Sequence, residues 1–184
     1  QIGQMVATNI PVQPFRRHIF IADVPLDPKG LALEARTSPS TRILTIDFDT
    51  TFYFHRESTG ILFGMGDPDE PSSFEQSVNW DLLERIAPVA ARRLPVLADA
   101  GISTAWAGLY EMTPDAMPII GPVPERPGFF IISGFSGHGF QHSPAAGRIL
   151  ADIITDRSPG EIDLAPFAFD RFARGNGVRE GNVV

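Results

Sequence analysis

The chain has 184 residues, 43% hydrophobic and 20% charged, with a net charge of −7 and no cysteine. That length suits one full core or parts of two domains, and the acidic balance without a Lys/Arg run argues against a nucleic-acid partner. The absence of cysteine excludes structural disulfides and thiolate metal sites, and with nothing pointing to secretion the chain reads as cytoplasmic.

No apolar stretch approaches the roughly 20 residues that span a bilayer, so no transmembrane segment is expected. The opening QIGQMVATNIPVQP has neither a signal-peptide pattern nor an initiator Met and leads directly into a strand. The expectation is a chain that starts inside a longer polypeptide. RRHIFIAD (16–23) reads as a strand, and the Pro, Gly, Ser and Thr of 26–41 as a loop. RILTIDFDTTFYFHRE (42–57) reads as one strand, its first half alternating through Ile43, Leu44, Ile46 and Phe48. A turn at Ser58-Thr59-Gly60 returns the chain as GILFGMGD, giving an antiparallel hairpin.

Asn79 is placed to cap a helix with the apolar stripe Leu82, Leu83, Ile86, Val89, Ala90, Leu94 and Leu97. Asp81 and Glu84 suit its dipole, and Pro88 is expected to kink or split it. ISTAWAGLYEMT (102–113) reads as a strand, with Trp106 in the core, followed by the turn Thr113-Pro114-Asp115 and a short strand in MPIIGPVP. GFFIISG (128–134) reads as a buried strand, apolar on both faces. Ser143-Pro144 supplies an N-cap and an N1 proline for a helix reaching about Asp156, with Ala146, Ile149, Leu150, Ile153 and Ile154 inward. Ser158-Pro159-Gly160 ends it, and the Gly/Asn-rich tail after Arg174 is expected to fray. The class is α+β: an antiparallel or mixed layer with a βα unit appended, whose strand has no parallel partner in this chain.

The segment GFFIISGFSGHGFQHSP (128–144) concentrates glycines between that strand and helix. Gly134-Phe135-Ser136 begins like the nucleophile elbow G-x-S-x-G, but His138 occupies the last position. His138 and His142 have the i, i+4 spacing of metal ligands, yet both would precede the helix and no carboxylate sits at a useful local spacing. Two readings stay open. One is a cofactor loop, whose backbone amides and helix start face an electron-rich group; the other is a plain βα turn. The order G-x-x-G-x-G is not the dinucleotide fingerprint G-x-G-x-x-G.

Three stretches, WAGLYEMTPDAMPIIGPVP (106–124), GFFIISGFSGHGFQHSPAAGRILADII (128–154) and DLAPFAFDRF (163–172), resemble the C-terminal half of the FAD-dependent amine and amino-acid oxidoreductases. These are the sarcosine oxidase, glycine oxidase and D-amino-acid oxidase superfamily. The resemblance implies that residues 1–110 are mostly a substrate-binding domain. It implies that 111–184 are the C-terminal segment of the FAD domain, with its last strand and helix. The N-terminal dinucleotide-binding unit is absent from this chain and would lie on a missing segment or another subunit. The implied activity is oxidation of a small-molecule amine or amino acid to an imine by hydride transfer to FAD. An alternative is a non-catalytic fragment or subunit that binds no flavin alone.

The resemblance further implies that Gly134, Ser136, Gly137, His138, Gly139, Phe140 and Gln141 bind FAD, with the amides of 137–140 touching the flavin edge. Gln141 and Tyr110 would be the catalytic residues, and Tyr53, Tyr110 and Arg56 would meet the substrate. Sarcosine oxidases carry Lys where this chain has Gln141, which puts sarcosine and rapid reaction with oxygen in doubt. Some members attach flavin through a Cys at the position of Gly108; with no cysteine, that thioether cannot form here, so FAD is expected to be non-covalent. No metal is expected.

Overall fold

The computed structural model describes residues 2–24, 43–175, 177–181 and 183. The loop read at 26–41 lies outside the described residues. The fold is mixed α+β with antiparallel pairing, and it divides into two compact units, the described residues of 16–109 and those of 2–15 with 110–183.

The unit of 16–109 is built on a five-stranded sheet. Its strands are β1 (Gln13–Asp23), β2 (Thr45–Asp47), β3 (Phe52–Glu57), β4 (Gly60–Gly64) and β5 (Gly101–Met112), in spatial order β2-β3-β4-β1-β5. Period-two burial sends His18, Phe20 and Ala22 of β1 to one face. Phe52 and Phe54 of β3 and Ile61 and Phe63 of β4 join them. Helix α2 (Trp80–Arg93) covers that face with Leu82, Ile86 and Ala90, and Leu94 follows. Asn79 caps it as expected, its Oδ1 accepting the Asp81 N–H at 3.1 Å. Pro88 lies inside the helix without splitting it: Ile86 and Ala90, buried on either side, hold the turn whose hydrogen bond the proline removes.

Residues 42–57 are not one strand. Asp47 folds a turn on itself, Oδ1 accepting the Asp49 N–H at 3.2 Å and Oδ2 the Thr50 hydroxyl at 2.7 Å. Arg93 Nε adds a third bond to Oδ2 at 2.7 Å. Thr51 then takes φ +59° and the chain returns as β3, with Thr45 opposite Phe54. Ile43, Leu44 and Phe48 are consequently exposed. Trp106, expected in the core, is 43% exposed on β5.

The second unit contains β6 (Ile119–Pro122) and β7 (Phe130–Ser133), paired antiparallel with Ile119 opposite Ser133. Helix α3 (Gly139–Ile154) packs on this pair through Ile120, Phe135, Ala146 and Ile149. Ile119, Val123 and Ile131 form a second cluster with Ile10, Val12, Phe129, Phe169 and Phe172. Short helices α1 (Ile2–Met5) and α4 (Arg171–Arg174) complete the described helices. Among the described residues β7 forms a ladder only with β6, and Ile132 is 40% exposed, so the strand is not buried on both faces.

Helix α3 starts at Gly139, five residues before Pro144 and not at it. Proline in the second turn leaves the Phe140 carbonyl without its i+4 donor, and the Ser143 hydroxyl takes that place at 2.9 Å. Ile154, read as inward, is half exposed. The tail is tied rather than frayed at Glu180, whose N–H donates to the Asp115 carbonyl at 2.8 Å. Among the described residues no helix is long and apolar enough to cross a membrane.

Candidate functional site

The loop between β7 and α3 is shaped by three left-handed residues, Gly134 (φ +80°), Ser136 (+52°) and Gly137 (+99°). The end of β5 holds it. The Phe135 N–H donates to Glu111 Oε1 at 3.2 Å, and the Ser136 N–H to the Glu111 carbonyl at 3.3 Å. Met112 and Phe135 form an isolated antiparallel bridge.

The glycines answer to the chain's own side chains. A Cβ on Gly134 would run into the Thr113 methyl, and one on Gly137 into the Tyr110 ring, with Cζ at 2.8 Å. A Cβ on Gly139 would stand 3.3 Å from Phe135 Cβ. Close packing of Thr113, Tyr110 and Phe135, with the positive φ at Gly134 and Gly137, by itself requires glycine or disfavours a side chain at these positions.

The outward face consists of backbone donors. The His138 N–H is turned to the Phe135 carbonyl at 3.0 Å, so it does not serve as an outward donor. The amides of Gly137, Gly139, Phe140 and Gln141 have no acceptor among the described residues. The last three are first-turn amides of a 16-residue helix, where the macrodipole adds positive potential. Phe140 is 94% exposed, and Gln141 is exposed beside it. A row of donors at a helix start fits an anionic or electron-rich group. An apolar cavity of about 460 Å³ adjoins the loop and α3, lined by Met117, Ile120, Phe135, His138, His142 and Ile149 among others.

Two other chemistries bear on the same residues. Ser136 is 1% exposed and its hydroxyl donates to the Gly134 carbonyl at 3.3 Å, so it is no nucleophile. The His138 and His142 rings stack with centroids 5.8 Å apart, and no group of three or more His, Asp or Glu able to hold a metal occurs among the described residues.

The structure brings Tyr110 together with the loop, its ring lying on Gly137. Tyr53 and Arg56 belong to the unit of 16–109. The Tyr53 phenol lies over Gly64, its partner across β3 and β4, where a Cβ would collide with the phenol oxygen and with Cζ at 2.6 Å. Arg56 Nε donates to the Ser58 carbonyl at 3.4 Å in the exposed turn.

Sequence reasoning missed Glu111 and the ion pair beneath the Thr113-Pro114-Asp115 turn. Arg171 is 1% exposed and bidentate to Asp115, Nε to Oδ2 at 2.8 Å and Nη2 to Oδ1 at 2.9 Å. Nη2 also reaches the Met117 carbonyl at 2.6 Å, and Thr113 Oγ1 and the Met117 N–H donate to Asp115 Oδ1 at 3.1 and 3.2 Å. Burial pushes the Asp115 carboxyl up, but the Arg171 bonds and charge, with Met117 and Thr113, outweigh it and hold the group below its ordinary value.

A mixed α+β chain with antiparallel sheets is similar in fold to solved oxidoreductases of the FAD-dependent class. The comparisons place the chain there. It belongs to the FAD dependent oxidoreductase family, whose model matches residues 1–153. FAD-dependent oxidoreductase domain-containing protein 1 of Bos taurus is 33% identical over 184 residues, 97% of this chain and 36% of that protein. Glycine oxidase of Pseudomonas aeruginosa is 38% identical over 104 residues, 56% of this chain and 28% of the relative. Among solved structures, L-proline dehydrogenase from P. horikoshii superimposes with a TM-score of 0.77 at 27% identity, covering 96% of this chain and 45% of that one. The chain spans about a third of the length of the first two relatives, 36% and 28%.

Proposed function

We propose that the chain is the C-terminal portion of a flavin-dependent oxidoreductase that oxidises an amine or amino acid to an imine. The observation that carries this reading is the row of amides at Gly137, Gly139, Phe140 and Gln141, aimed outward from the start of α3. Their partner must accept several hydrogen bonds at once and favour positive potential. When bound, FAD supplies the hydride acceptor, and its reduced ring carries negative charge near N1 and the C2 carbonyl. The amides and the helix start provide fixed dipoles for that charge before it develops. Gln141 adds a neutral side-chain donor. Tyr110, seated on Gly137, presents a phenol beside the same loop, and Tyr53 and Arg56 are assigned to the substrate. Residues 1–110 are then mostly the substrate domain and 111–184 the end of the FAD domain. The dinucleotide-binding unit lies on sequence outside this chain or on a second subunit. Relatives named glycine oxidase and L-proline dehydrogenase support a small amino acid or amine as substrate.

The test is the visible spectrum and intact mass of the purified protein, followed by acid precipitation. A flavin spectrum, with all flavin released to the supernatant, is expected. Flavin retained on peptides of this sequence refutes non-covalent binding. A colourless 184-residue protein that binds no added FAD with any co-purifying N-terminal piece supports the non-catalytic module instead.

A further inference from the structure

We propose that Glu111 is a positioning residue for the amide row, acting through the loop and not on the ligand. The inference rests on the reading that the loop faces a cofactor. The direction of the four outward amides depends on the backbone between Gly134 and His138, where Ser136 and Gly137 are both left-handed. A serine at φ +52° is sparsely populated and persists only where its surroundings hold it. Glu111 contributes that hold twice: its carbonyl accepts the Ser136 N–H, and its side-chain Oε1 accepts the Phe135 N–H.

The second bond is the unusual one. Met112 and Phe135 form a bridge of one residue pair, and no backbone acceptor meets the Phe135 N–H. The Glu111 side chain supplies the acceptor in place of a backbone carbonyl. Tyr110 on Gly137 and the Thr113 methyl on Gly134 also press on the loop. Releasing Phe135 frees the residue on which Gly139 packs, and with it the first turn of α3.

Three variants of the flavin-loaded protein decide this. Glu111→Leu deletes the acceptor, Glu111→Gln keeps a carbonyl oxygen at the same reach, and Ile119→Val thins the core of the same unit without removing either Glu111 bond. The readouts are amide hydrogen exchange at Phe135 and Ser136, FAD dissociation constant, and thermal midpoint. Glu111→Leu is expected to speed exchange at both amides and to weaken FAD at least tenfold. Glu111→Gln should recover both to within about threefold, and Ile119→Val should lower the midpoint while leaving both unchanged. Wild-type exchange and FAD affinity in Glu111→Leu overturn the proposal, as does Ile119→Val weakening FAD to the same degree at equal loss of midpoint. A wild-type protein that holds no flavin overturns the parent reading and this one together; flavin binding indifferent to Glu111→Leu overturns this one alone.

Discussion

Replacing Asp115 by alanine removes the carboxylate bonded to a guanidinium that is 1% exposed. Arg171 would keep the Met117 and Ala168 carbonyls, at 2.6 and 3.1 Å, and the Phe172 ring, 4.1 Å from its centre. None of these carries a charge, so the cation stays buried without compensation, a situation that costs about 3–5 kcal/mol. The Thr113 hydroxyl and the Met117 N–H lose their acceptor at the same stroke. For a chain of this size each kcal/mol moves the melting temperature by about 2–4 °C, so the expected drop is about 6–20 °C. The assay is thermal and urea unfolding of Asp115→Ala, Arg171→Met and the double variant. The double variant removes both charges and should recover most of the loss. A single variant costing under about 1 kcal/mol, or a double variant as unstable as the singles added, refutes the reasoning. The pH dependence supplies a second check. Because the folded carboxyl sits below its ordinary 3.8, the stabilisation is complete above that pH and disappears as pH falls through the lower folded value. Asp115→Ala should lack this acid-induced loss.

His18 gives the opposite range. It is 2% exposed and its Nε2 accepts the Asn79 N–H at 3.0 Å, so it is held neutral: burial pushes its pKa below 6.5, Arg16 and Arg17 add to this, and Glu70 and Asp67 oppose it. The unfolded chain therefore takes up the proton first, and stability that is intact above pH 6.5 should decline as pH falls below it. Comparing thermal midpoints at two pH values on either side should show this slope reduced in His18→Gln; equal slopes would remove His18 as the cause. Gly137→Ala must place a methyl at φ +99° against the Tyr110 ring, so it should cost more than the roughly 1–2 kcal/mol of a left-handed L-residue alone. The excess should vanish in a Tyr110→Ala background in urea unfolding, and an excess that persists there would show that the ring is not the obstacle.

The parts legible in the sequence were those fixed within a few residues. The Asn79 cap and the stripe Leu82, Ile86, Ala90 specify α2 locally, and alternation in RRHIFIAD specifies β1. The misread elements have distant partners. The turn that breaks 42–57 is held in part by Arg93, 46 residues from Asp47. The start of α3 was misplaced because Ser143-Pro144 is a sound local start signal, while the turn before it depends on Phe135 and Glu111, residues that are 24 positions apart. The glycines stand out in the sequence, but the side chains packed on them, Thr113 and Tyr110, are revealed by no local pattern. Asp115 read as a turn residue because its ion-pair partner is 56 residues downstream.

That 56-residue separation also sets a clock during synthesis. The unit of 16–109 is contiguous in sequence, so it can collapse while the rest of the chain is still being made. The other unit is interrupted by it. Ile10 and Val12 must wait for Ile119, Val123 and Ile131, and Asp115 must wait for Arg171. At roughly 5–20 residues per second, the interval between Asp115 and Arg171 is about 3–11 s. For that time the apolar side chains of the interrupted unit and its carboxylate are present without their partners. Nascent-chain capture by chaperones, and aggregation when capture fails, should therefore fall on the segment from Asp115 to Arg171 and spare the contiguous unit.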